Sequence, residues 1–456
     1  MKKHAFNNKF QYKGLWWLPE NPDLKVAGIV SYEPNQKITL ELIGSFKDKG
    51  NALEEFLSNT DAEIIHGETS EAIKITLIKC FVSGSVNPSC SFTITRYSCR
   101  FAIIGCLLHD KDEACFDEAI AWIPELNSWC PPSLISQKIL DNNSSVAISL
   151  SLMSNILAES NLSESTKLQI LGKCEYNADF YAPSLRQYSC LRILKSNKER
   201  FVSFLSDISL FCQFMSLATL QHVDTTYISL KNNSYYQELE NGGKLYKAID
   251  LIYVQHVMCE RNSNKSYDFL LNYKSIKDNF STIMAKWYAD KEVLAPIRNH
   301  LVESVTDKRI FTSIDFLIVI QAIEGFWSRF RDDEYKRKKK EEEKNTKNVI
   351  KGKNNNTRLE TILNMLIEEF GDVPRIKEEH IDVKCAVDSR HYYSHFMDKS
   401  KKTHALDGLE LYELTHKLRK LLICCILSFM GIDNERINKI LSESNSSFLR
   451  CRKTNK

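Results

Sequence analysis

Long apolar runs are missing from this 456-residue chain. No stretch approaches the ~18 to 20 unbroken apolar residues of a membrane helix. The longest candidates, around Phe311 to Ile323 and Leu421 to Met430, are too short or are interrupted by Asp315 and Gln321. The opening MKKHAFNNKFQYKG begins with two lysines but has no apolar segment behind them, so neither a secretory signal nor a membrane partner is expected, and the cytoplasm is the expected compartment. C-x-x-C pairs are missing too. Fourteen cysteines lie scattered over the chain, which excludes the disulfide framework of a small secreted domain and predicts reduced, mostly buried thiols. A strong excess of one charge is also lacking. Residues 1–300 carry 31 Lys+Arg against 33 Asp+Glu and residues 301–456 carry 30 against 25, so the halves are −2 and +5 and sum to +3. Nucleic-acid binding must therefore come from a local patch, not from the whole surface.

What is present is apolar mass: 43% hydrophobic and 10% aromatic residues, enough for a globular protein. Single cores stop growing at about 250 to 300 residues, so two or three domains are expected. The segment LKVAGIVSYEPNQKITLELIGS (24–45) has two β-rich stretches around a Glu-Pro-Asn-Gln turn, a hairpin signal. Further strand signals follow at 62–68, 72–82, 92–108 and 119–126. Ile73, Ile75 and Leu77 alternate with Lys74, Thr76 and Ile78, the period of a sheet with one face better buried. Residues 1 to about 150 are expected to form an antiparallel β domain. A mixed stretch follows to about 290, with strands near KLQILGKCEYNA and helical spacing from Ser196 to Leu220. Trp16 and Trp17 are expected to pack in the core.

Beyond residue 290 the pattern becomes helical. IFTSIDFLIVIQAIEGFWSRFRDDEYKRKKKEEEK (310–344) predicts one long helix leaving the core as a charged rod, with Arg337/Glu341, Lys338/Glu342 and Lys339/Glu343 at i,i+4. A polar connector, NTKNVIKGKNNN, follows. Thr357/Glu360 and Asp407/Glu410 predict capping boxes for two later helices, the second running from Leu409 to Met430 with Gly431 as its stop. The expected fold is α+β and multidomain: a β-rich region over 1–290, with a mixed sub-domain from about 151, followed by a bundle of about four to five helices over 291–456.

Between the capped helices lies DSRHYYSHF (388–396), where titratable and polar side chains crowd one helix. Arg390 and His395 are separated by ~140° around the axis. They can converge within one helix through the length of arginine, or across two symmetric copies. His391 and His395 also stand at i,i+4, the spacing of two zinc ligands on one face; Cys385 or His404 would have to supply a third.

The run Arg390-His-Tyr-Tyr-Ser-His395 resembles the R-x4-6-H motif of HEPN domains, all-helical modules many of which are metal-independent ribonucleases. FQYKGLWWLPENPDLKVAGIVSYEPNQKITLELIGSF (10–46) is similar to the N-terminal domain of the ApeA family, anti-phage abortive-infection proteins with a C-terminal HEPN domain. Ala322 to Trp327 resembles a helix of that HEPN type. The resemblance implies an RNA substrate, with transfer RNA among the candidates, a phage-derived trigger, and a homodimer through the helical domain. A toxic nuclease must be held quiet until infection, so the N-terminal region is expected to restrain it. RNA carries its own nucleophile, the 2′-OH, so its cleavage needs proton transfer and positive charge on the phosphate. His395 suits the first and Arg390 the second, without a cofactor. His391, Tyr392, Tyr393 and Ser394 are expected to support the site or touch substrate, and Glu324 is expected to orient Arg390. The alternative is a non-catalytic HEPN module that binds nucleotide or protein.

Overall fold

A computed structural model describes residues 3–46, 60–86, 94–140, 145–151, 153–179, 181–238, 242–255, 268–289, 291–306, 311–333, 336–337, 358–373, 376 and 380–444. It divides into two compact units, 1–212 with 224–263, and 213–223 with 264–456.

The first unit holds strands β1 (Phe10–Leu18), β2 (Asn21–Tyr32), β3 (Ile38–Ile43), β4 (Ala62–Thr69), β5 (Lys74–Val86) and β6 (Ile94–Ile104). They pair antiparallel in the ring β1-β2-β3-β6-β5-β4, which closes into a six-stranded barrel. The β2–β3 turn has Pro34 followed by Asn35 at φ 65° and is closed by the Gln36 N–H donating to Glu33 O over 3.1 Å, the pattern of a type II turn. Trp16 and Trp17 are buried. Directly opposite Trp16 on β4 is Gly67, where an added Cβ would come within 2.2 Å of the Trp16 ring. Only glycine leaves room for the indole there.

β6 is long enough to serve two sheets. Its first half pairs with β3, and Phe101 to Ile104 pair with β16 (Ile249–Tyr253). From β16 the sheet continues through β13 (Tyr227–Lys231), β7 (Phe116–Trp122), β12 (Ser184–Glu199), β11 (Thr166–Asn177) and β10 (Asn155–Asn161). Two hairpins, β8 (Ile135–Leu140) with β9 (Ser145–Leu150) and β14 (Tyr236–Glu238) with β15 (Lys244–Tyr246), stand outside it.

The expected one-sided burial of β5 is corrected. Ile75, Thr76, Leu77 and Ile78 are all buried, because the segment after β6 covers the second face: the Thr76 hydroxyl donates to Cys106 O and accepts from Leu108 N–H, each at 3.0 Å. The helix predicted from Ser196 begins only at Phe201, since Ser196 to Glu199 belong to β12. This helix, α1 (Phe201–Thr219), is long and apolar enough by composition to span a membrane, although polar residues such as Ser206 and Asp207 interrupt its apolar run. However, about two thirds of it is buried in the structure, as in a core helix. All eleven described cysteines are free thiols, nine of them buried.

The second unit is helical: α2 (Phe280–Tyr288), α3 (Lys291–Thr306), α4 (Ser313–Phe330), α5 (Arg358–Glu369), α6 (Val383–His395), α7 (Gly408–Phe429) and α8 (Asn434–Glu443). α7 is the central helix, with Leu418, Leu421, Leu422 and Cys425 fully buried, and it packs on α3, α4 and α8. The helix expected over 310–344 is interrupted: α4 stops at Phe330 and the chain turns at Arg331, and helical backbone resumes at Asp332–Asp333 and Lys336–Arg337, where Lys336 pairs with Asp332 at i,i+4. Arg331 is held there by Glu369 at 2.8 Å. The rod pairs, the connector and Thr357 of the first capping box lie outside or partly outside the described residues. The Asp407/Glu410 box is also corrected: Asp407 is the N-cap of α7 but makes no side-chain cap bond, its carboxylate being paired with Lys399 instead. Gly431 follows that helix at φ 86°, the left-handed stop its residue type predicts.

Candidate active site

α6 begins where the Asp382 carboxylate accepts the Cys385 N–H at 2.9 Å, a side-chain N-cap. Ala386, Val387 and Ser389 form its buried face, and it packs on α4 and α5. The helix ends at His395, with Phe396 in the left-handed conformation, φ 50°. The returning chain is tied back to α6 at three points. The Ser389 hydroxyl accepts from Leu406 N–H at 2.9 Å, the Tyr393 hydroxyl donates to Leu406 O at 3.1 Å, and Lys402 Nζ meets Asp388 Oδ1 at 3.2 Å.

On this frame Arg390 and His395 meet within one chain. Arg390 Nη1 lies 3.0 Å from His395 Nε2, and Arg390 Nη2 lies 3.5 Å from Glu324 Oε2 on α4. The guanidinium thus bridges a carboxylate on α4 and an imidazole on its own helix, α6. Arginine has donors only, so in this arrangement Nε2 accepts and the ring proton sits on Nδ1. Arg390 and Glu324 are each about a quarter exposed, and His395 is exposed, so the pair is open to solvent.

His391 is half-buried, with its ring centroid 6.0 Å from that of His395. Burial, together with the positive charges of Lys402 and Arg390, holds its pKa below the usual imidazole value. Tyr393 turns the other way. Its ring abuts Phe316 at 6.4 Å and its hydroxyl is committed to Leu406, with burial raising its pKa. Tyr392 stands edge-on to Tyr393 at 4.8 Å. Ser394, half-buried, is one turn beyond Arg390. The structure therefore brings Arg390, His395, His391 and Glu324 together and directs Tyr393 into the bundle. Sequence reasoning missed Ser389, Asp388 and Lys402. Ser389 was legible, being three residues after Ala386 and four before Tyr393, on one helix face; nothing in the sequence pairs Lys402 with Asp388.

As a metal clasp the site is incomplete. Among the described residues no group of three His, Cys, Asp or Glu side chains could hold an ion, and a guanidinium already sits on His395 Nε2. What the arrangement can do is bind an anion through Arg390, Lys402 and the two histidines, and offer a neutral imidazole nitrogen as base once Arg390 turns toward that anion.

The family model for ApeA N-terminal domain 1 matches residues 11–287, and that for Apea-like HEPN matches residues 317–436. The chain belongs to the ApeA family. The HEPN match takes in most of α4 and all of α5 to α7 and so covers the entire cluster in this ApeA-family chain, while the β-barrel, but for Phe10, and its sheet extension lie within the N-terminal match. No curated protein and no solved structure matches the chain.

Proposed function

We propose that this protein is an anti-phage abortive-infection effector acting in the cytoplasm as a metal-independent HEPN endoribonuclease. The observation that carries the reading is the 3.0 Å contact between Arg390 and His395, with Glu324 behind the guanidinium. A phosphodiester entering the site draws the Arg390 fork onto its non-bridging oxygens. That movement frees His395 Nε2, which takes the proton of the 2′-OH as the oxygen attacks phosphorus. The bond to the 5′-oxygen breaks, that oxygen takes a proton from solvent to leave as the 5′-hydroxyl, and His395 returns its proton to solvent. The products are a 2′,3′-cyclic phosphate, or the 3′-phosphate formed from it, and a 5′-hydroxyl. His391 and Tyr392 contact the substrate beside the scissile phosphate, and Tyr393 positions α6 against the return segment.

The active form is a homodimer joined through the helical domain. Phe396, next to His395, is 92% exposed in a backbone conformation that disfavours a phenylalanine, and Met397, Leu409 and Tyr412 are also exposed. A second copy is the partner proposed to cover them. Residues 1–290 restrain the nuclease until a phage product appears.

The test is purified protein with total RNA, transfer RNA included, in EDTA. Cleavage that survives EDTA and is lost in Arg390→Ala and His395→Ala supports the reading. Cleavage abolished by EDTA and restored by zinc refutes metal independence. Absence of cleavage under phage challenge as well as in vitro favours a binding module.

A further inference from the structure

Within the unit of 1–212 and 224–263, a cavity of about 1220 Å³ opens between the start of β1, the end of β2, the β4–β5 turn and the β14–β15 hairpin. Its floor is a fixed polar network. Asp250 Oδ2 accepts from the His4 backbone N–H at 3.0 Å and from His4 Nδ1 at 2.7 Å, and Oδ1 accepts from the Tyr227 hydroxyl at 2.7 Å. His4 Nε2 meets the Tyr12 hydroxyl at 2.7 Å. His4 and Asp250 are 3% and 2% exposed, so the carboxylate is held by three donors and the ring, bonded through both nitrogens, is fixed.

The walls are less self-sufficient. Leu245, Tyr235 and Tyr246 leave 55%, 37% and 37% of their surface exposed beside the cavity. Lys231 lies 4.1 Å from the Tyr246 ring centroid and braces that face. Lys9, Lys74 and Lys247 also line the opening, and among the described residues none of them is in an ion pair. Glu33 and Glu71 oppose them, but Glu33 already accepts from Gln36 Nε2 at 3.0 Å. Tyrosine faces and uncommitted lysines therefore converge on one space over a rigid floor.

We propose that this cavity binds a nucleotide, the base lying against Tyr235 and Tyr246 and the phosphates held by Lys9, Lys74 and Lys247. An apolar molecule would leave the lysines unused. A simple inorganic anion would leave most of the volume and both aromatic faces unused. Ligand cavities commonly hold about 300–1000 Å³ with few convergent polar groups, and this one is large enough for a base, a sugar and several phosphates. The assignment stands apart from Arg390 and His395 and does not depend on nuclease activity.

Isothermal titration calorimetry on the full chain tests it, with ATP, GTP and UTP as probes and adenosine and inorganic triphosphate as the two halves of the ligand. At least one nucleotide is expected to bind at a single site, each half binding at least about tenfold more weakly. Tyr246→Ala should weaken binding by about ten- to a hundredfold, as loss of a base stack does. Lys74→Glu combined with Lys247→Glu should weaken it at least about tenfold. These side chains are exposed, and unchanged circular dichroism would verify the fold. Arg390→Ala should bind like wild type. The proposal is overturned if no nucleotide binds, or if inorganic triphosphate binds as tightly as the nucleotide. It is also overturned if a 5′-phosphorylated oligonucleotide binds while free nucleotides do not, or if Arg390→Ala rather than the lysine pair abolishes binding.

Discussion

Glu324→Gln removes one negative charge behind Arg390 while keeping the side chain's shape. At 3.5 Å two unit charges in an effective dielectric of about 20 attract by roughly 5 kcal/mol. That figure is an upper limit. Both side chains are about a quarter exposed, and solvation with side-chain freedom leaves exposed and partly exposed pairs with about 1 kcal/mol. Applied to the orientation of Arg390 in the transition state, about 1 kcal/mol is roughly a fivefold loss in kcat/KM. Arg390→Ala, which deletes the phosphate contact itself, should lose about 10²- to 10³-fold. The assay is initial-rate cleavage of a fluorescent oligoribonucleotide in EDTA over a range of pH. Glu324→Gln should lower the rate without changing the shape of the pH profile. A loss of 10²-fold or more with one limb of the profile gone would assign proton transfer to Glu324. No measurable loss would mean that the ion pair does nothing for Arg390. Either result refutes the reasoning.

Phe396→Gly should stabilise the isolated chain by about 1 kcal/mol, since glycine adopts the left-handed conformation at φ 50° without strain, yet weaken self-association; urea unfolding and light scattering read the two effects. By NMR titration His391 should protonate below the ordinary imidazole value, and Lys402→Ala should raise it, because Lys402 is the charge that most opposes its protonation. The unfolded chain then binds the proton first as pH falls, so His391 lowers stability progressively through that acidic window. Gly67→Ala should destabilise the barrel by about 1 to 3 kcal/mol, because the Trp16 ring must be displaced; a lower urea midpoint with an unchanged slope would establish it.

Much of this was readable before the structure, for reasons that differ by element. The β2–β3 hairpin was legible because Pro34 and Asn35 are local turn determinants that need no tertiary help. The two-sided burial of Ile75 to Ile78 was not, because a barrel is closed by pairing β5 with β6 and covered by the chain after it. α4 read as continuous past residue 330 because i,i+4 charge pairs carry the helical pattern onward, whereas Arg331 turns to reach Glu369 on another helix and breaks it before helical backbone resumes at Asp332. At the site, Arg390, His395 and Glu324 stood out by residue type and spacing. The inward turn of Tyr393 was equally available from its spacing to Ala386 and Ser389. Lys402 and Asp388 come together through the fold of the return segment, which no periodicity encodes.

The central claim is that Arg390 and His395 cut RNA by 2′-OH attack, and the chemistry of the cut ends tests it most directly. RNA from phage-challenged cells expressing wild type should contain new 5′-hydroxyl ends paired with 2′,3′-cyclic phosphate or 3′-phosphate ends, absent with His395→Ala. New 5′-phosphate and 3′-hydroxyl ends, or unchanged cleavage in His395→Ala, would contradict the account.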